Sequence, residues 1–238
     1  MNESGNSRVI SSNQSGLHEQ LDEVVLKHLS HKFRKPYQKH TLDAFTACEK
    51  WVEQQGKPII FDSCCGVGES TYHLAERHPE AIVLGMDKSA DRLSKHPQSS
   101  ADNYRLLQVN LNDFWRLAVE ANWQLSHHYL LYPNPWPKAK HLQRRWHGSA
   151  VFPSIIQLGG DLEVRSNWFT YIHEFSRALQ LAGQTCQLEE FQNNTPITPF
   201  ERKYWSSGQK SLRLLSELGA ASVATAMGYE RVSPANPY

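Results

Sequence analysis

The chain has 238 residues, a formal net charge of +1 and 39% hydrophobic residues, which makes one domain of ordinary size with a full core. Near neutrality excludes a global field that draws in nucleic acid, so such a partner must be met by local basic patches. Cys48, Cys64, Cys65 and Cys186 form neither a C-x-x-C pair nor a zinc spacing and read as reduced thiols, no apolar run is long enough to span a membrane, and the polar start lacks the core of a signal peptide, so a cytoplasmic protein without metal or membrane is expected.

Residues 1–16, rich in Ser, Asn and Gly, are predicted to be a disordered tail. Residues 17–57 form an N-terminal helical and basic segment. Its apolar positions Leu21, Val24, Val25 and Leu29 recur at helical spacing. A cluster of Lys27, Lys32, Arg34, Lys35 and Lys39 follows, with Phe33 and Tyr37 interleaved; it reads equally as a solvated helix end or a phosphate-contacting arm. Residues 41–55 read as a second helix that buries Leu42, Phe45 and Trp51 and stops at Gly56.

Strands and helices then alternate. A short apolar strand, 58–61, ends at Asp62 and is followed by SCCGVGES and a helix over 70–77. Strands over 81–86 and 104–109 end at Asp87 and Asn110. A helix covers 113–121 and a fourth strand 125–132. A helix over 150–158, a strand over 161–165 and a helix over 168–181 come next. Two strand-like runs, 185–191 and 211–218, are joined by a loop without a strong helix. This order predicts an α/β domain over 58–219: a doubly wound, mostly parallel sheet with an antiparallel last strand. Residues 220–238 read as a weak, polar tail, and no internal repeat is visible.

Two stretches carry chemistry. In DSCCGVGES, Gly66 and Gly68 lie between a strand and a helix, where the backbone can approach a ligand. Asp87 ends the next strand, where a carboxylate can accept both hydroxyls of a ribose. Asp62 ahead of the glycines suits a donor with an ammonium and a sulfonium, and Asn110 is placed to meet an adenine amine. The alternative for Asp62 is a helix cap. In LLYPNPWPKAKHLQRRW, Pro133, Pro135 and Pro137 carry the chain off the fourth strand as a stiff turn with Asn134 inside it. Trp136, Lys138, Lys140, His141, Arg144 and Arg145 follow, an aromatic ring and a cationic apron suited to a flat, polyanionic substrate. Strands one and four flank the switch point of the sheet, so Gly66 and Asn134 should face one crevice. Asn167 reads as a ligand or an N-cap, and Thr198 with Glu201 as a capping box or a substrate contact. His127 and His128 read as packing residues.

YPNPWPKAKHLQRRW resembles the YPDPWPK-x-x-H-x-x-RR signature of the bacterial tRNA (guanine-N7-)-methyltransferases. DSCCGVG stands where that family has E-x-G-x-G-x-G, GMDKS where it has an acidic ribose ligand, SNWFTYIHEF where it has T-D-W-x-x-Y-x-x-x-M, and TPFERK where it has T-x-F-E-x-R. The resemblance runs from about residue 58 to 215. It implies a Rossmann-like class I methyltransferase fold, S-adenosylmethionine as donor and N7 of guanine in tRNA as acceptor. Asp62, Gly66, Gly68, Asp87, Asn110 and Asn134 would hold the donor, with Asn134 at the catalytic position. Lys138, Arg144, Arg145, Asn167, Thr198 and Glu201 would touch the tRNA, bound by a monomer or weak homodimer. Three family aspartates stand here as Asn110, Asn134 and Asn167, and the first family glycine as Cys64. Two other readings remain at this point. Asn134-Pro135-Trp136 is similar to the N-P-P-[YFW] turn of exocyclic-amine methyltransferases, and a protein that binds tRNA or the donor with little or no catalysis fits the lost aspartates.

Overall fold

The structure is a computed structural model that describes residues 7–97 and 100–219. Residues 1–6 of the expected disordered tail, and all of 220–238, lie outside the described residues. Seven strands form one sheet in the order β3-β2-β1-β4-β5-β7-β6. They are β1 (Ile59–Ser63), β2 (Ile82–Asp87), β3 (Tyr104–Gln108), β4 (Leu125–Leu131), β5 (Gly160–Ser166), β6 (Gln187–Phe191) and β7 (Ser211–Leu218). The first five pair in parallel, and β7 runs antiparallel to both β5 and β6, as expected.

Alternation along the strands sorts the apolar side chains to two faces. Phe61, Leu84, Met86 and Leu130 enter the larger core, packed by α1 (Leu21–Ser30), α2 (Lys39–Gln55), α5 (Leu111–Glu120), α6 (Phe152–Leu158) and α7 (Phe169–Leu181). Ile60, Val83, Tyr129 and Leu131 enter the smaller core with Leu74 and Ala75 of α3 (Glu69–Arg77). Gly85 lets α3 sit close on the sheet, since a Cβ there would lie 2.3 Å from Thr71 Oγ1. His128 is buried in the core beside Ser63, and burial pushes its imidazole down to about 3, so it packs as a neutral ring.

Three expectations change. The loop between the last two strands holds a helix, α8 (Pro199–Ser206), capped by Thr198 and begun by Pro199. Leu42 is exposed; Thr41, Phe45, Cys48 and Val52 form the buried stripe of α2. Residues 7–16 carry no helix or strand but are pinned to the body. Ser12 Oγ donates to Pro137 O at 2.6 Å, and Asn13 Oδ1 accepts from Ala139 N at 3.0 Å. A short helix, α4 (Ala90–Leu93), follows β2.

Candidate active site

At the carboxyl ends of β1 and β4, where the winding of the sheet reverses, a cavity of about 850 Å³ opens. Its lining includes Asp87, Asn110, Asn134, Arg144 and Asn167 from the expected set. Cys64, Lys88, Arg92 and Trp146 join them, with Phe200 and Tyr204 of α8 on the wall. Asp62, Gly66, Gly68, Lys138, Arg145, Thr198 and Glu201 do not line it.

The loop after β1 turns through left-handed backbone at Cys64 (φ +66°), Gly66 (+62°) and Gly68 (+77°). Glycine adopts this freely; for Cys64 it costs about 1–2 kcal/mol. Burial pushes the Cys64 thiol up to about 12, and a hydrogen bond from Trp146 only partly opposes that, so the thiol is a neutral part of the wall. The loop is held by the acidic end of β2. Asp87 Oδ2 accepts from Gly66 N at 3.1 Å, while Oδ1 accepts from Ser89 N at 2.8 Å and pairs with Arg92 at 3.0 Å. Asn110 Oδ1 caps α5 by accepting from Asn112 N at 3.0 Å.

Asp62 departs from the expected direct ligand. It is fully buried, and its Oδ2 accepts from Ser70 Oγ and Thr71 Oγ1, both at 2.7 Å. The resembled family has glutamate here; aspartate is one methylene shorter, and the hydroxyls at the start of α3 capture it. Its Oδ1 has no partner among the described residues. Burial raises the carboxyl to about 6, opposed by the Thr71 and Ser70 hydroxyls.

β4 delivers the proline turn. Tyr132 (φ +52°) and Trp136 (φ +48°) are both left-handed, so the turn is strained at each end. Asn134 sits at its exposed tip, with Oδ1 accepting from Trp136 N at 3.3 Å. The Arg144 guanidinium lies 4.7 Å over the Trp136 ring. Its neighbour differs from expectation: Arg145 is fully buried and donates to Glu174 Oε2 at 2.5 Å, so it is no surface contact for phosphate. Lys138 is exposed outside the cavity.

Thr198 and Glu201 also prove structural. Thr198 Oγ1 accepts from Glu201 N at 3.0 Å, and the Glu201 carboxylate takes Arg165 Nη1 at 2.6 Å and Ile197 N at 2.8 Å. Thr198 thus caps α8, while Glu201 reaches back to Ile197 N, one residue before the cap, a variant of the capping-box alternative in which both side chains are buried. What α8 offers the cavity is Phe200 and Tyr204, rings 6.1 Å apart and stacked at 24°. Their i, i+4 spacing behind a Thr-Pro start was the available signal. Asn167 is no N-cap: Ser166 Oγ takes Trp168 N, while Asn167 Nδ2 donates to Gln209 Oε1 at 2.8 Å. The basic segment packs its rings inward, with Arg116 of α5 lying 4.9 Å over Phe33 and 4.2 Å over Tyr37. That strap brings Gln38 and His40 to the cavity rim.

The family model Methyltransf_4, described as "Putative methyltransferase", matches residues 56–214. The chain belongs to this family. Among curated relatives, a tRNA (guanine-N(7)-)-methyltransferase of Syntrophotalea carbinolica is 28% identical over 154 residues, covering 59% of this chain and 60% of that protein. One from Enterococcus faecalis is 28% identical over 181 residues, covering 69% and 83%. The match spans 66% of the length of a relative from Nocardioides and 50% of one from Arthrobacter, both with the same name. The 16S rRNA methyltransferase KamB has a similar fold, with a TM-score of 0.56 at 14% identity, covering 77% of this chain and 95% of its own. A 16S rRNA (adenine(1408)-N(1))-methyltransferase solved with its cosubstrate SAM gives 0.51 at 18%, covering 71% and 90%. At these identities the likeness bears on the fold alone. Among the described residues, no helix is long and apolar enough to cross a membrane, and no cluster of acidic, His or Cys side chains is arranged to hold a metal ion.

Proposed function

We propose that this chain transfers the methyl group of S-adenosylmethionine to N7 of a guanine in tRNA. The observation that carries the reading is one shared cavity. Asp87 and Asn110, at the ends of β2 and β3, open onto the same space as Asn134 in the exit turn of β4. The residues suit the donor. Asp87 offers a carboxylate, fixed by the glycine loop, to ribose hydroxyls; Asn110 offers an amide to the adenine edge; and Cys64 and Trp146 supply an apolar wall. Asp62, with an orphaned oxygen beneath the loop, would attract its cationic end.

When bound, the donor supplies an electrophilic methyl on a sulfonium. Guanine N7 has a free lone pair at the major-groove edge, so this chain needs no residue that removes a proton. Its task is alignment, which can remove roughly 7–11 kcal/mol of barrier. The rigid proline turn holds Asn134 in place, and Trp136, Phe200 and Tyr204 present flat faces to a base. The cationic purine that forms meets only the dipole of Asn134, not a carboxylate. Lys88, Arg92 and Arg144 on the lining, with Lys138 and Lys140 outside it, serve the phosphates.

The test is tritiated methyl transfer to unmodified bulk tRNA, followed by nucleoside analysis. N7-methylguanosine, which renders RNA cleavable by borohydride and aniline, is the expected product. A methylated exocyclic amine would replace the reading with its alternative; the Asn134 oxygen already turned to Trp136 N argues against that. Tight binding of tRNA or donor without transfer would leave a binding protein.

A further inference from the structure

The proline turn is strained, yet the atoms that hold it lie outside the cavity. Arg145, fully buried, is the hub. Its Nε and Nη2 donate to Trp136 O at 3.3 and 3.2 Å, and Nη2 donates to Lys138 O at 3.3 Å. Nη1 reaches Glu174 of α7, Nη2 also reaches Gln14 Oε1 at 3.1 Å, and the guanidinium lies 4.8 Å over the Trp168 ring.

Glu174 is equally saturated. Its Oε2 accepts from Arg145 and from His147 Nε2 at 2.9 Å, and its Oε1 accepts from Gln14 Nε2 at 2.5 Å and His18 N at 2.9 Å. Burial pushes this carboxyl up, but the hydrogen bond from His147 and the Arg145 guanidinium win and hold it down at about 2; burial holds the His147 imidazole itself low, so it serves as a neutral donor. The N-terminal segment closes the ring, through Ser12 on Pro137 O and Asn13 on Ala139 N. Every backbone carbonyl from Trp136 to Lys138 is therefore gripped from behind, while Asn134 projects into the cavity in front. A fork with several donors suits this hub, and lysine cannot copy it.

We infer that Arg145 and Glu174, with the docked residues Ser12 to Gln14, are positioning residues for transfer: they set where Asn134 and Trp136 stand in the crevice. The inference rests on the function proposed above for that crevice. It also makes Ser12 to Gln14 a support of the active centre, although they line no part of the cavity.

The test uses the full chain with Asn13→Ala/Gln14→Ala, which touches no residue of the apolar core, and Arg145→Lys. Three measurements are made: kcat and KM on tRNA, donor affinity by calorimetry, and amide hydrogen exchange of residues 131–146 and of α7. For the double variant, kcat falls about tenfold (~1.4 kcal/mol) while KM and donor affinity stay within about twofold. Exchange rises in the turn but not in α7. Arg145→Lys, if folded, repeats this with a larger fall in kcat. A loosened turn with unchanged kcat overturns the inference, as does an unloosened turn, or a fall in kcat matched by lost donor affinity. A wild-type protein that methylates no tRNA defeats the functional reading instead, and the exchange data alone then decide whether the segment holds the turn.

Discussion

Replacing Asp62 by asparagine tests what the buried carboxylate does. Burial lifts its pKa from 3.8 to about 6, with the Thr71 and Ser70 hydroxyls opposing. The folded value lies above the unfolded one, so the neutral form is favoured on folding. Its contribution to stability is full below the unfolded pKa and is lost as pH rises through about 6. A shift of about two units corresponds to ~3 kcal/mol by the neutral side of that window. Asparagine has the same shape and stays neutral, and its oxygen can accept from both hydroxyls. Its amide nitrogen replaces an oxygen that is already unpartnered, so one orphan is exchanged for another. Urea unfolding should find Asp62→Asn more stable than wild type by about 1–3 kcal/mol at about pH 8, with the difference fading towards about pH 4. Calorimetry should find S-adenosylmethionine bound about fivefold more weakly, since a buried carboxylate that does not line the cavity acts on the donor's cationic end only through space. Stability and affinity move in opposite directions, the pattern of a site that is strained for function. A variant less stable than wild type at about pH 8 would refute the electrostatic reasoning, and unchanged donor affinity would reduce Asp62 to a tie on α3.

Three further outcomes are expected. Asn134→Asp places a carboxylate roughly 5 Å from the developing purine cation. At an effective dielectric near 40 this is worth ~1–2 kcal/mol, or about 5–30-fold in kcat, and a variant no faster on tRNA would undo the account of this position. Glu201→Ala opens a buried ion pair, but Arg165 keeps Glu163 at 2.6 Å, so the loss should fall near the lower end of such cases, about 3 kcal/mol by denaturant unfolding. Arg144→Ala removes a cavity-lining cation, so tRNA affinity should fall while the slope of log affinity against log salt becomes shallower by about one; an unchanged slope would take Arg144 off the phosphate path.

Much of the architecture was legible because it is written in local patterns. Short, nearly unbroken apolar runs marked β1, β2 and the end of β4, as suits parallel strands covered on both faces, and the acidic or amide residue closing each early strand marked the end where the cavity opens. The prolines announced the rigid turn. Burial decided by distant partners was not legible. Arg144 and Arg145 are adjacent and chemically alike, yet one lies over Trp136 at the cavity and the other is sealed inside. Their difference is settled by Glu174, 29 residues further on. The N-terminal segment misled for the same reason. Its composition carries no apolar drive to fold, but Asn13 and Gln14 find unpaired backbone and a buried guanidinium to satisfy. α8 was missed because its apolar positions are rings facing a cavity, not aliphatic groups facing a core.

The three asparagines that replace family aspartates can now be weighed one by one. Asn110 caps α5, a task aspartate performs equally well, so nothing in that bond requires the amide. Asn134 accepts from Trp136 N, again a role open to either residue. Asn167 is different. It donates through Nδ2 to Gln209 Oε1, and Gln209 Nε2 in turn donates to Ser7 O at 2.8 Å. An aspartate cannot donate there; Gln209 would have to turn its amide towards the carboxylate and release Ser7. The amide at 167 is thus wired to the N-terminal segment that also grips the proline turn. With Asn134 and Asn167 neutral, Asp87 is the sole acidic side chain on the cavity lining among the described residues, against Lys88, Arg92 and Arg144, and it is already paired with Arg92. Such a crevice favours approach of a phosphate backbone and gives little help to a purine turning cationic. For the function proposed above, the exchange of carboxylates for amides would favour binding over turnover, which makes position 134 the place where charge and rate should be most tightly coupled.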